Sequence, residues 1–163
     1  MLWLRGLIFT LLVPMAVGVW VPSLFDETRT IRGGWHALGW APVAVGASFY
    51  LASLLRFLQA GGTPSNYFLR PLRFALGEEP PVLVERGLYG MTRNPMYVGV
   101  VTAVLGQAVV FGSWRIALYG ALLWLWFHFV VRVLEEPHLR KKMGPAYEEY
   151  CRRVPRWLWG SVR

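Results

Sequence analysis

One otherwise apolar stretch carries four costly side chains: His128, Arg132, Glu135 and Glu136. Trp124, His128, Arg132 and Glu136 recur every four residues, which places them on one face of a helix, with Glu135 close by. Ionisable residues in a membrane segment normally turn toward the bundle interior or a wet cavity. The spacing therefore predicts a polar site on this face. Arg132 and Glu136 can pair, while Glu135 and Glu136 repel each other and make a cation welcome. The plainer alternative is a structural Arg132–Glu136 pair at headgroup level beside a satisfied His128.

A second polar group lies upstream, in Gly87-Leu88-Tyr89-Gly90-Met91-Thr92-Arg93-Asn94-Pro95-Met96-Tyr97. Asn is a preferred helix N-cap and Pro is favoured at the first helical position, so Asn94-Pro95 predicts a helix start. The free N–H groups and positive dipole end of that helix suit an anion, and Arg93 adds a fixed charge beside them. Ordinary capping, with Arg93 anchoring at the headgroups, is the bland alternative. Between the two groups the chain is almost wholly apolar, with a turn at Phe111-Gly112-Ser113-Trp114. Such a stretch crosses a bilayer and returns, which brings both polar groups to one membrane face.

Beyond Pro137 the chain turns basic and amphipathic. Gly144-Pro145 predicts a helix restart, after which Tyr147 and Tyr150 share a face. Glu148–Arg152 and Glu149–Arg153 have pairing distance along the helix. This segment is either a helix on the anionic inner leaflet or a lid over the site.

These groups need a scaffold, and composition says which kind. The 163 residues are 55% hydrophobic with nine tryptophans and a net charge of +8. The basic residues flank apolar runs instead of forming one stripe, which favours a membrane over nucleic acid. A single cysteine, Cys151, excludes an internal disulfide, and His36, His128 and His138 are too scattered for a zinc signature, so no metal is expected. Four apolar segments stand out: Leu7 to Phe25, His36 to Gln59, Pro95 to Gly112 and Arg115 to Leu134. Each is near the ~20 residues needed to span. The fold class expected is all-α: one domain over 1–163, an integral membrane bundle of about four transmembrane helices with a cytosolic amphipathic C-terminal segment. The first segment follows Arg5 and lacks a small-residue cleavage pattern, so it is expected to stay as an anchor. Pro14 and Pro42 are expected to kink their helices.

Four spans put the N-terminus, the middle connection and the tail on one side. That side holds fourteen Lys and Arg; the other holds Arg29, Arg32 and Arg115. The bias places both termini and both polar groups in the cytosol. The connection Gly61 to Thr92 is long for a compact bundle, and Phe68 to Leu76 mixes apolar residues with Arg70 and Arg73 as an interfacial helix would. Gly99-x-x-x-Ala103 permits close helix packing and hence a homo-oligomer.

At these residues the chain resembles the isoprenylcysteine carboxyl methyltransferase family and its bacterial relatives, a wider group that includes phospholipid N-methyltransferases. The matching stretches are Gly87-Leu88-Tyr89, Arg93-Asn94-Pro95-Met96-Tyr97-Val98-Gly99 and Glu135-Glu136-Pro137-His138-Leu139. They continue in Gly144-Pro145-Ala146-Tyr147-Glu148-Glu149-Tyr150 and Val154-Pro155-Arg156-Trp157, so the motif-bearing core is 87–159. The chain departs at Asn94, where eukaryotic members usually have His, and at Gly90, where relatives often have a larger residue.

The resemblance implies an integral membrane enzyme, of the bacterial inner membrane, that uses S-adenosylmethionine. It implies a methyl acceptor, carboxylate or other O or N group, on a lipophilic substrate that enters sideways from the surrounding lipids. Carried over, Tyr89, Arg93, Asn94, Pro95 and Tyr97 line the cofactor pocket, with Glu135 and Glu136 opposite and Tyr147, Tyr150 and Arg156 closing it. Positioning two reactants in a dry pocket supplies up to ~7–11 kcal/mol. A carboxylate acceptor needs only an orienting arginine, for which Arg132 is the candidate. An amine must lose a proton, for which Glu136 or His128 is the candidate. The lateral gate is expected near Tyr67 to Leu76. Competing readings are phospholipid N-methylation, a same-fold isomerase or reductase, and a non-catalytic membrane subunit.

Overall fold

The computed structural model describes residues 2–25, 34–64 and 79–158. The expected interfacial helix at Phe68 to Leu76 and the expected gate beside it lie outside the described residues. Every regular element among the described residues is helical. We label the rods α1 (Leu2–Ser23), α2 (Gly34–Gln59), α3 (Pro95–Phe111), α4 (Trp114–Met143) and α5 (Pro145–Arg153). α1, α2 and α4 are long and apolar enough to cross a membrane, and α3 adds a shorter apolar helix of 17 residues. The predicted membrane helical bundle is the observed architecture.

α3 occupies the middle of the bundle, and its glycines explain how. A Cβ on Gly46 would sit 2.4 Å from Gly99 O, and one on Gly99 would sit 2.6 Å from Gly46 O. Gly39 and Gly106 repeat the arrangement one heptad along. The backbones of α2 and α3 therefore touch at two levels, as small residues allow in membrane helix pairs. The Gly99–Ala103 face, expected to favour an oligomer, is used inside the chain against Gly46. α3 also buries Val101, Val104 and Ala108 against Ile116 and Leu123 of α4. The turn between them is short because Gly112 adopts φ 62° and Ser113 caps α4.

Two π turns shape the rods. One covers Ala16–Trp20 and the other Val131–Glu135, and each ends two residues before a proline, Pro22 or Pro137. Proline donates no N–H and its ring crowds the carbonyl four residues back, so the turn widens. In α1 the freed carbonyls are met by neighbours: Gln107 Nε2 donates to Gly18 O at 2.6 Å, and Tyr119 OH donates to Val17 O at 2.9 Å. Pro14 sits at the break between the straight part of α1 and its π turn, and Pro42 falls in the first turn after a short 3₁₀ segment, where no donor is missed.

The π turn in α4 overturns one register expectation. An extra residue per turn rotates everything after Val131 relative to the four-residue spacing. Glu136 turns inward and is buried, whereas Arg132 is exposed. The predicted Arg132–Glu136 pair gives way to Arg156 and Arg93 as partners of Glu136. α4 also continues to Met143 instead of ending near Leu134, because Pro137 falls in the first turn of the resumed helix.

Candidate active site

The loop before α3 and the chain after α5 are stitched together at the end of the bundle. Arg93 N donates to Pro155 O at 2.9 Å. Thr92 Oγ1 and Asn94 Nδ2 both donate to Arg156 O at 3.0 Å. Tyr150 OH donates to Tyr89 O at 2.7 Å. α3 does begin at Pro95, with Asn94 in the cap position, but the Asn94 side chain binds the tail instead of capping the helix.

Below this stitch lies a cavity of about 220 Å³. Its polar lining comprises, among others, Tyr89, Arg93, Asn94, Tyr97, Glu135, Glu136, Tyr147 and Tyr150. Its apolar lining includes Phe9, Val13, Pro14 and Val17 of α1, Phe57 of α2, Val100 of α3 and Phe127 of α4. Eight of the sequence-predicted residues thus share one cavity. Pro95 is buried behind it as the first residue of α3, and Arg156, His128 and Arg132 do not line it.

Glu136 is the electrostatic centre, with 3% of its surface exposed. Arg156 grips it with Nε on Oε1 at 2.6 Å and Nη2 on Oε2 at 2.9 Å. Arg93 Nη1 reaches Oε1 at 3.2 Å and also donates to Cys151 Sγ. A buried carboxylate is tolerated only when so compensated. The hydrogen bond to Glu136 raises the Arg156 pKa above its ordinary value, so this guanidinium stays charged. Arg93 Nε is buried and has no partner among the described residues.

Glu135 accepts from Tyr97 OH, and the Tyr97 ring packs on Phe127 with centroids 4.4 Å apart. Burial pushes the phenol pKa values of Tyr89, Tyr147 and Tyr150 up from 10.0; the charge of Glu136 adds to the effect at Tyr147. All three therefore remain neutral hydroxyls at any physiological pH. α5 is not a solitary surface helix: Tyr147, Tyr150 and Cys151 pack with Val154, Leu83, Leu139 and Met143. Glu148 pairs with Arg140 at 3.0 Å in place of the expected Arg152, while Glu149 reaches Arg153 at 3.7 Å as expected. His128 sits behind the site, where its Nδ1 accepts from Trp157 Nε1 at 3.0 Å.

Sequence reasoning missed a further polar pair at the cavity. His138 Nε2 lies 2.7 Å from Glu79 Oε1, and Lys142 Nζ approaches the same oxygen at 3.2 Å. Glu79 and His138 both line the cavity. His138 to Lys142 is one turn on a helix, but nothing in the sequence brings Glu79 to them. The contribution of α1 was also invisible, because an apolar lining residue looks like any lipid-facing one.

The architecture is that of an integral membrane helical bundle with a mixed polar and apolar cavity at one end. Residues 35–146 match the model of the phospholipid methyltransferase family, and the chain belongs to that family. A stretch of 75 residues, 45% of the chain, is 36% identical to protein-S-isoprenylcysteine O-methyltransferase of Schizosaccharomyces pombe. A longer stretch of 149 residues, 84% of the chain, is 26% identical to the Delta(14)-sterol reductase LBR of Gallus gallus. These alignments cover 31% and 23% of the two relatives, so the chain spans under a third of their lengths. No solved structure matches.

Proposed function

We propose that the chain transfers a methyl group from S-adenosylmethionine to an O or N nucleophile on a lipophilic acceptor, at the cytosolic end of the bundle. The observation that carries this reading is the cavity itself, which brings the Arg93–Glu136 group and apolar side chains of α1, α3 and α4 into one space. The donor carries a carboxylate, an ammonium and a sulfonium, and the residues present fit all three. Arg93 Nε is a buried donor without a partner, a standing cost of roughly 1–3 kcal/mol that a carboxylate removes. Glu135 and the rings of Tyr89, Tyr97 and Tyr147 face the same space and suit the cationic groups. When bound, the donor supplies an electrophilic methyl group.

The rest is done by the chain. Arg93 and Asn94 hold the polar lining in place, and burial keeps the Tyr89, Tyr147 and Tyr150 hydroxyls neutral. Phe9, Val13, Val17 and Phe127 hold an apolar acceptor and exclude water. Holding both partners in one dry cavity is the main source of acceleration for a displacement of this kind. Glu136 is a holding group in this reading, since both its oxygens are occupied by arginines. A carboxylate acceptor has no proton to lose, and an amine attacks through its lone pair and releases its proton to water once the S–CH₃ bond has broken. The basic asymmetry of the loops supports a cytosolic site.

The family and the fission-yeast relative support methyl transfer. The sterol reductase relative supports a second reading, reduction of a membrane-bound acceptor in the same cavity. One experiment separates them: purified protein in nanodiscs is titrated with S-adenosylhomocysteine and with NADPH, then incubated with methyl-labelled donor and a total lipid extract. Binding of S-adenosylhomocysteine and label in the lipid fraction are the expected results. Binding of NADPH alone transfers the assignment to the reductase reading.

A further inference from the structure

Arg156 lies outside the cavity, yet it takes both oxygens of the carboxylate that faces Arg93. Its Nε donates to Glu136 Oε1 at 2.6 Å and its Nη2 donates to Oε2 at 2.9 Å. Arg93 has only a longer contact to Oε1, at 3.2 Å, and its Nε is left over. Two guanidiniums on one carboxylate leave a net positive charge, and Arg93 is the member that faces the cavity.

Take Arg156 away and the balance changes. A carboxylate and a guanidinium in contact favour two parallel N–H···O bonds. Glu136 Oε2 would lose its donor, and Arg93, already on Oε1 through Nη1, can turn its Nη1/Nη2 edge onto both oxygens. The two would close into a neutral pair. Arg93 would then offer an anion no net charge.

We propose that Arg156 is a positioning residue: by occupying Glu136 it keeps Arg93 open to an anionic group of the ligand. This rests on the methyl-donor reading, in which that group is the donor's carboxylate. The main chain is arranged to the same end. Arg156 O accepts from Thr92 and Asn94, and Pro155 O accepts from Arg93 N, so Arg156 is fixed to the loop that carries Arg93. Thr92 has no exposed surface, so this connection is shielded from competing water.

The test is calorimetric titration of S-adenosylhomocysteine into the full chain in nanodiscs, with thermal unfolding measured on each variant. Arg156→Gln should weaken binding roughly tenfold or more, the range for a lost charged hydrogen bond. Adding Glu136→Gln to it should recover most of that loss, because an amide does not compete for Arg93 with a charge. Arg156→Lys should recover only part, since an ammonium cannot occupy both oxygens in parallel. Arg152→Ala, whose side chain is 74% exposed, should bind as wild type. A purely structural role for Arg156 predicts the opposite order, with the double variant at least as weak as Arg156→Gln. That order, or unchanged binding in Arg156→Gln, overturns the proposal. If Arg156→Gln does not fold, Arg156→Lys carries the test: it must weaken binding and Glu136→Gln must relieve it. A wild-type chain that binds no S-adenosylhomocysteine removes the methyl-donor reading, and this proposal with it, at the first titration.

Discussion

Arg93→Ala separates ligand binding from stability more cleanly than any other single change at this site. In the wild type, Arg93 is 10% exposed and touches Glu136 through one contact of 3.2 Å. After the change Glu136 keeps both shorter contacts to Arg156, at 2.6 Å and 2.9 Å. The buried carboxylate is still compensated, so the stability cost is that of one charged hydrogen bond, about 1.5–3 kcal/mol, plus the weaker bond to Cys151 Sγ. Glu136→Ala is different. It leaves two guanidiniums facing each other with Arg93 mostly buried, and removing one partner of a buried pair costs about 3–5 kcal/mol. The stability order should therefore be wild type, then Arg93→Ala, then Glu136→Ala. The affinity order need not follow it: Arg93→Ala removes the only Arg or Lys that lines the cavity among the described residues and should weaken S-adenosylhomocysteine binding by about 10- to 150-fold, from the same charged-bond range. Thermal unfolding in nanodiscs and calorimetric titration on the same samples give both orders. Wild-type affinity in a folded Arg93→Ala protein would refute the anion-site argument. A larger stability loss for Arg93→Ala than for Glu136→Ala would refute the claim that Arg156 alone suffices to compensate Glu136.

Three further outcomes are expected. Gln107→Leu and Tyr119→Phe each uncover a carbonyl in the α1 π turn, Gly18 O or Val17 O, and each should lower stability by about 1–3 kcal/mol, detected as earlier unfolding and faster proteolysis of α1. Gly46→Leu forces atoms into a space where even a Cβ would lie 2.4 Å from Gly99 O; overpacking of this kind costs about 1–3 kcal/mol or more, and size-exclusion profiles should show loss of the folded bundle, while Ser48→Ala on the exposed side of α2 should not. Burial raises the Tyr89, Tyr147 and Tyr150 pKa values above 10.0, so these phenols contribute stability that is present below pH 10 and lost as pH rises beyond it; phenolate absorbance from them should appear only with alkaline unfolding, and its appearance in the folded state below pH 10 would contradict their burial.

Local chemistry determined much of this molecule before any tertiary information. Apolar run length alone sets a helix across a bilayer, because unsatisfied backbone groups have no other partner there. The start of α3 at Asn94-Pro95, the turn at Gly112-Ser113 and the restart at Gly144-Pro145 follow from short-range rules about caps and proline, and all three stand in the structure. The resemblance carried by the motifs also named eight residues that do share a cavity. What the sequence could not hold is anything that depends on how separate elements meet. A four-residue spacing placed Arg132 beside Glu136, but the π turn before Pro137 rotated them apart, and a tail residue, Arg156, took the place. Asn94 was legible as a cap position, yet its side chain serves a carbonyl sixty-two residues away. The Glu79–His138 pair and the α1 wall of the cavity have no local signature at all, since an ion pair across the fold and an apolar lining leave no periodic trace. Helix existence and ends are set by interactions within a few residues, so the sequence determined them. Which charge meets which, and which apolar face lines a cavity instead of facing lipid, is set by helix register and by long-range contact, and only the tertiary structure decides that.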